Sequence, residues 1–330
     1  MGSLPLGAKS LALSNPLPLT QHPAAVYLGL LATGSRSTMR QALDAIASLL
    51  TDGQCEAMSL DWAALRYQHT AAVQTALSEQ HSPATARKMM CALRRVLAEA
   101  VRLDLMEATD YAKAVDLPKI KTTTKLRGRA LSTAEITALF EVCFKDPTPA
   151  GKRDAALIAI LRGAGLRRAE VVQLELRDFL ADARALEVQG GKGGKDRTVY
   201  LPSSACELVT DWLPLRGNEP GALLYPVTKG RRLLKRHMTP QAVLMIVRKR
   251  ALEAGVTSFS PHDFRRTFCS DLLDAGIDIV TVAKLVGHSS PVTTAKYDRR
   301  GEETKRMAVE RLEIPTSRSR EAQGESTAQR

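Results

Sequence analysis

The chain has little aromatic character, with six Phe, six Tyr and two Trp in 330 residues. That scarcity disfavours a single-strand nucleic-acid binder built on stacked rings. Its five cysteines (Cys55, Cys91, Cys143, Cys206 and Cys269) are odd in number, scattered and free of any CxxC pair. Such usage argues against a disulfide framework or a Cys-rich zinc site, and for a reducing cytoplasm. No apolar run approaches the ~18 residues of a membrane-spanning helix. The longest, Ala24–Ala32 and Ala155–Leu161, are short and flanked by polar residues. One Lys before residue 22 and four Pro by residue 23 do not make the charged and apolar regions of a signal peptide.

Positive charge is abundant instead. Forty-seven Lys and Arg against thirty-five Asp and Glu leave a net +12. An excess of that size points to a polyanion, either nucleic acid or an acidic membrane surface, and the placement of the charges decides between these and a mere solubility charge. The length exceeds what one core usually serves, so two domains are expected.

The pattern along the chain supports that division. Residues 1–22 carry Leu, Ser, Pro and Gly without a period and read as a flexible tail. Residues 23–115 are helical in pattern. Met39, Ala42, Leu43, Ile46, Leu49 and Leu50 share one face, and Ser82-Pro83 caps a helix whose apolar stripe includes Met89, Met90, Leu93, Val96 and Leu97. The opposite face of that helix shows Arg87, Lys88, Arg94, Arg95 and Arg102. Three or four helices with one basic side are expected. Residues 116–130 form a basic linker with Lys119, Lys121, Lys125, Arg127 and Arg129 and no acid after Asp116. Ser132 and Glu135 make a capping box that opens a second domain over residues 131–312. There, helices alternate with two short strands, Leu186–Gln189 and Thr198–Leu201, joined by a Gly-rich hairpin. A final helix is expected over about Glu302–Leu312, with Met307, Ala308 and Leu312 as a narrow apolar stripe, and residues 313–330 read as a disordered tail. The fold class expected is mainly α with a small antiparallel β-sheet.

Chemistry-bearing residues concentrate in the second domain. Gly165-Leu166-Arg167-Arg168-Ala169-Glu170 places an Arg at a helix start with a carboxylate three residues on. The hairpin presents Lys192 amid four glycines, in GGKGG. This loop lacks the spacing of a P-loop and leads from strand to strand. In Pro261-His262-Asp263-Phe264-Arg265, His262 and Arg265 are three apart and share a helical face. Gly287-His288 precedes Thr293-Thr294-Ala295-Lys296-Tyr297. The separations of His262, His288 and Cys269 fit no zinc pattern. The run Lys229–His237 (KGRRLLKRH), with Arg231, Arg232 and Lys235, is as consistent with a phosphate-contacting surface as with a solvated loop.

Taken in order, GLRRAE, GKGGKDR, HDFRRTF and LVGHSSPVTTAKY resemble the motifs of the tyrosine recombinase family, the phage-integrase-type site-specific recombinases of simple two-domain Xer/Cre-like organisation. The resemblance covers roughly residues 23–312. It implies that Arg167, Lys192, His262, Arg265 and His288 are catalytic, that Tyr297 is the nucleophile, and that Glu170 supports Arg167. Phe264 and Val286 stand where Leu is usual, and neither departure removes a catalytic group. The implied reaction cuts and rejoins duplex DNA through a 3′-phosphotyrosyl link and a Holliday junction, without cofactor or metal. Four protomers on two DNA sites, with or without a second recombinase, would carry it out. A helical domain and a catalytic domain forming a C-shaped clamp would hold the DNA, in the cytoplasm at the nucleoid and away from any membrane. Lys119, Lys121, Lys125, Arg127, Arg129, Arg87, Lys88, Arg94, Arg95, Arg231, Arg232 and Lys235 are the expected DNA contacts. Integration, excision or the resolution of dimers and cointegrates all fit, for a mobile element or a replicon. A type IB topoisomerase and a non-catalytic DNA-binding regulator are the rival readings.

Overall fold

The computed structural model describes residues 11–121, 128–189 and 196–302, together with Arg306, Val309, Glu310 and Leu312. Lys125, Arg127, Lys192 with its Gly-rich loop, and both outer tails (residues 1–10 and 313–330) lie outside the described residues, as does most of the final helix expected over 302–312. The chain divides into two compact units, Met1–Lys125 and Leu126–Arg330.

The first unit contains helices α1 (Pro23–Gly29), α2 (Thr33–Leu50), α3 (Tyr67–Gln80), α4 (Pro83–Arg102) and α5 (Ala108–Val115). Ser82 caps α4 by accepting from the Thr85 amide, and Pro83 at the first helical position costs no hydrogen bond there. Leu43, Ile46, Leu60, Trp62, Leu77, Leu93 and Leu97 form the core. Residues 11–22 depart from the expected flexible tail. Leu13 N donates to Ser59 O at 2.9 Å, Asp61 N donates to Leu11 O at 2.7 Å, and His22 is buried as the cap of α1. Bonds to a segment so distant in sequence leave no local period to read. The start of the expected linker is also packed, since Leu117 and Ile120 lie against this core and Gln74 donates to Pro118 O at 2.9 Å.

The second unit contains α6 (Thr133–Lys145), α7 (Pro149–Gly163), α8 (Arg168–Val171), α9 (Ser203–Arg216), α10 (Pro240–Glu253), α11 (Pro261–Asp274), α12 (Ile279–Val286) and α13 (Pro291–Ala295). A three-stranded antiparallel meander joins them, with β1 (Phe179–Leu180), β2 (Ala185–Val188) and β3 (Arg197–Tyr200). In its register Leu186 faces Val199 and Val188 faces Arg197. The period of two puts Leu186, Val188 and Val199 into the core while Glu187 and Thr198 face out. The reciprocal Ser132–Glu135 cap opens α6. Helix α7 is almost wholly buried at the centre of the unit, with Lys152 exposed and Arg162 half-buried. Its one buried carboxylate, Asp154, accepts from Arg153 Nε at 2.6 Å and Arg250 Nε at 2.8 Å, and Arg250 reaches Asp146 at 2.5 Å. A paired and hydrogen-bonded set of this kind ties α10 to α7 without leaving an uncompensated charge. No helix among the described residues is long and apolar enough to cross a membrane.

Candidate active site

Three helix starts and one helix end in the second unit converge. At the end of α7 the chain reverses through Gly165, at φ +59°, where an added Cβ would lie 2.6 Å from the Phe268 ring. That turn sets Arg167 as the cap of α8. The Arg167 amide donates to Glu170 Oε2 at 2.8 Å, and Arg167 Nη1 donates to Glu170 Oε1 at 2.7 Å. Arg167 Nη2 reaches Gly287 O at 3.3 Å. Ser260 and Asp263 cap α11 reciprocally, and Pro261 follows at its first position, so His262, Arg265 and Arg266 occupy its opening turn and a half. Asp278 caps α12, which ends at Gly287 in the left-handed conformation and turns the chain to His288. Ser290 caps α13, and Tyr297 lies just beyond it.

Tyr297 Oη lies 3.1 Å from His262 Nε2. The His288 ring lies nearly parallel to the Tyr297 ring at 6.0 Å, and its Nδ1 is 2.8 Å from Thr294 Oγ1. The Arg266 guanidinium sits over the tyrosine ring, 5.3 Å from its centroid. The backbone of Tyr297 is fixed as well, because Ser270 Oγ of α11 donates to its carbonyl at 2.8 Å. Beyond it, Arg299 pairs with Asp274 at 2.9 Å. Tyr297 is therefore held against its own unit, only 7% exposed, among Phe268, Cys269, Leu273, Val282 and Val286.

Arg265 is fully covered, at 0% exposure. Its Nη1 donates to Gly165 O at 2.8 Å and its Nη2 to Val286 O at 2.6 Å, while its Nε finds no partner. Burial and then the neighbouring Arg167 push its pKa down to about 10, which leaves it a cation at neutral pH. The same cationic setting acts on the other groups. His288 is brought down to about 4 by burial, followed by Arg265 and Arg167. His262 is lowered for the same first reason, then by Arg265 and Arg266. Both imidazoles are neutral at neutral pH. Burial raises the Tyr297 phenol, with the guanidinium groups of Arg265, Arg266 and Arg167 opposing the shift. Burial alone would raise Glu170 too, yet the hydrogen bonds from Arg197 and Arg167 hold its carboxyl below the ordinary range.

Arg167, Glu170, His262, Arg265, His288 and Tyr297 are thus brought together. The basic residues expected to contact DNA have these exposures and partners. On α4, Lys88 is exposed, Arg87 donates to Ile120 O at 3.1 Å, Arg95 pairs with Glu99 at 3.6 Å, and the Nε of Arg94 is buried without a partner. Lys119 and Lys121 are exposed. Arg129 pairs with Glu135 at 2.7 Å and donates to Thr257 O. Arg231 and Arg232 are exposed, and Lys235 pairs with Glu219 at 2.6 Å. Sequence reasoning missed Arg197, which binds Glu170, together with Ser270 and Thr294. Arg197 stands in the same GKGGKDR stretch that marks Lys192, so its signal was present in the motif. Ser270 and Thr294 are small polar residues, and only their burial against Tyr297 and His288 distinguishes them. Among the described residues no group of three His, Cys, Asp or Glu side chains could hold a metal ion.

Residues 129–303 match the phage integrase family. The chain belongs to that family. It is a site-specific tyrosine recombinase, an enzyme that cleaves and rejoins DNA. Similar relatives include tyrosine recombinase XerA of Pyrococcus furiosus, 32% identical over 205 residues that cover 62% of this chain and 68% of the relative. Tyrosine recombinase XerC of Myxococcus xanthus is 30% identical over 231 residues, covering 67% of this chain and 73% of the relative. In fold the recombinase resembles the Tn1549 transposon integrase in complex with a circular intermediate DNA, with a TM-score of 0.65 at 15% identity, covering 88% of this chain and 99% of that one. It also resembles a lambda integrase dimer bound to a COC′ core site, with a TM-score of 0.64 at 14% identity, covering 91% of this chain and 79% of that one.

Proposed function

We propose that this recombinase cleaves one strand of a duplex DNA site by attack of Tyr297 Oη on the scissile phosphate. The observation that carries this reading is the 3.1 Å approach of His262 Nε2 to Tyr297 Oη, with the Arg266 guanidinium 5.3 Å from the centre of the tyrosine ring. A phenol with pKa ~10 is a poor nucleophile at neutral pH unless a base takes its proton or cations stabilise its anion. A neutral His262 with Nδ1 protonated can accept that proton at Nε2. The new bond joins Tyr297 Oη to phosphorus, the bond from phosphorus to the 5′-oxygen breaks, and a 3′-phosphotyrosyl link remains. The departing 5′-oxygen needs one proton, which we assign to Lys192. Charge gathering on the non-bridging oxygens is matched by Arg167 and Arg265, with His288 as a further donor. Since Arg265 is fully covered, a phosphate reaches it only after the atoms that cover it move. Reversal of the same steps with a 5′-hydroxyl from a second duplex rejoins the strands, and the bond to tyrosine conserves the energy of the cut.

We take the partner to be double-stranded DNA, a reading supported by the neighbouring structures solved with circular intermediate DNA and with a core site. Lys88, Lys119, Lys121, Arg231 and Arg232, all exposed, are the phosphate contacts we favour. Four protomers acting on two sites would pass through a Holliday junction. An open apolar groove lined by Ile136, Phe140, Leu208, Phe268 and Leu272 supports an assembly in which the sequence stripe of Met307 and Leu312 docks on a neighbour. The test captures covalently bound DNA from cells and sequences it. Reads should gather at a few shared sites, and four protomers should assemble on a pair of those duplexes. Reads scattered over the genome would favour the relaxation chemistry of a type IB topoisomerase.

The acid–base assignment has a pH signature. The base must be unprotonated, so cleavage falls as pH drops through the pKa of His262. That pKa lies below the ordinary 6.5. Single-turnover cleavage should therefore stay flat on the acid side of neutrality and decline only below about pH 6.5. A decline that starts between about pH 8 and 7 would contradict the assignment.

A further inference from the structure

Arg197 lies at the start of β3, the strand that leaves the Lys192 hairpin. It is largely buried, with 14% of its side chain exposed. Its Nη2 donates to Glu170 Oε2 at 2.9 Å and its Nη1 to Glu170 Oε1 at 3.2 Å, a fork-on-carboxylate pair. Glu170 in turn holds Arg167 through its side chain and its amide. The guanidinium of Arg197 also packs on Gly287, where an added Cβ would sit 3.1 Å from Cζ and where φ is +67°. Its Nε points to Leu285 O at 3.4 Å. One guanidinium, carried by β3, therefore touches two separate pieces of the site: the carboxylate behind Arg167 and the end of α12 that turns the chain to His288.

We propose that Arg197 is a positioning residue for strand cleavage, acting through Glu170 to hold Arg167 in the geometry that receives the phosphate. This rests on the reading of Arg167 and Tyr297 given above. A carboxylate with only Arg167 for a partner could swing with it. With Arg197 filling one edge, Glu170 presents a fixed edge to Arg167, and the two guanidinium groups share one negative charge. Arg197 needs no contact with DNA for this role.

The test measures single-turnover formation of the covalent adduct on a nicked suicide duplex with the full chain. Two versions of the scissile linkage are compared, the normal phosphate and a 5′-bridging phosphorothiolate whose leaving group needs no proton. Arg197→Gln should slow cleavage about 100-fold on both, the size expected when a catalytic group is displaced by about 1 Å, at unchanged DNA affinity. Arg197→Lys should fall between Arg197→Gln and the wild type. In a Glu170→Gln background, Arg197→Gln should cost less than about 3-fold more, because the two residues act as one unit. Wild-type speed in Arg197→Gln, or a full effect that persists without Glu170, would overturn the proposal. So would rescue by the phosphorothiolate, which would place Arg197 behind the leaving-group proton instead. If Arg197→Gln loses its thermal unfolding transition, Arg197→Lys carries the same comparisons. Absence of any adduct with the wild type would count against the reading of Tyr297 rather than against Arg197.

Discussion

Tyr297→Phe is expected to fold, to bind DNA with wild-type affinity, and to form no covalent adduct. The substitution removes one oxygen. That oxygen's contact in the free protein is His262 Nε2 at 3.1 Å, whereas the ring keeps its packing against Phe268, Cys269, Leu273 and Val286. The position of the backbone does not depend on the hydroxyl, because Ser270 holds the Tyr297 carbonyl from α11. The loss should therefore appear wholly in chemistry. Denaturing gels of a nicked substrate measure it, with thermal unfolding and gel-shift binding as companions. A denaturation-resistant complex from this variant would remove Tyr297 from the mechanism.

Arg167→Lys is expected to lower cleavage by about 10³-fold, the upper range for removing one charge-stabilising donor, with less than about 3-fold change in affinity. The charge is kept, so long-range attraction to DNA is kept. What disappears is the fork. Arg167 uses one terminal nitrogen on Glu170 at 2.7 Å and the other toward Gly287 O at 3.3 Å, and each still carries a second N–H. An ammonium cannot span the carboxylate and a phosphate in one plane. Glu170, held ionised by its two guanidinium partners, would then be left with Arg197 as its main support. Parallel losses of cleavage and binding, measured on the same duplex, would show that Arg167 serves affinity rather than the reaction.

Much of this was legible from local signals. The Ser82 cap with Pro83 behind it located α4, and the Ser132–Glu135 box located the start of α6, because an unsatisfied helix end demands a particular side chain at a particular place. The Gly-rich stretch between two short runs located β2 and β3, each observed one residue earlier than expected, at Ala185–Val188 and Arg197–Tyr200. The strand Phe179–Leu180 was missed because two residues have no period. The packing of residues 11–13 on residues 59–61 was missed because it depends on backbone groups that every residue carries. In the site, the ordered motifs named Arg167, Glu170, His262, Arg265, His288 and Tyr297. They did not reveal that Arg265 is fully covered by protein, nor that Arg197 shares Glu170. Those are properties of where a guanidinium ends, and a long flexible side chain does not disclose that through its spacing in sequence.

The most direct test of the account is to identify the tyrosine that carries DNA. The chain has six (Tyr27, Tyr67, Tyr111, Tyr200, Tyr225 and Tyr297), and Tyr200 is the more exposed of the two that flank the catalytic motifs, at 63%. The adduct trapped on a nicked duplex would be digested with protease and nuclease and the modified peptide sequenced by mass spectrometry. The account predicts a 3′-nucleotide on the peptide containing Tyr297 and a free 5′-hydroxyl on the released strand. A nucleotide on any other tyrosine, or a 5′-phosphoryl link, would contradict it.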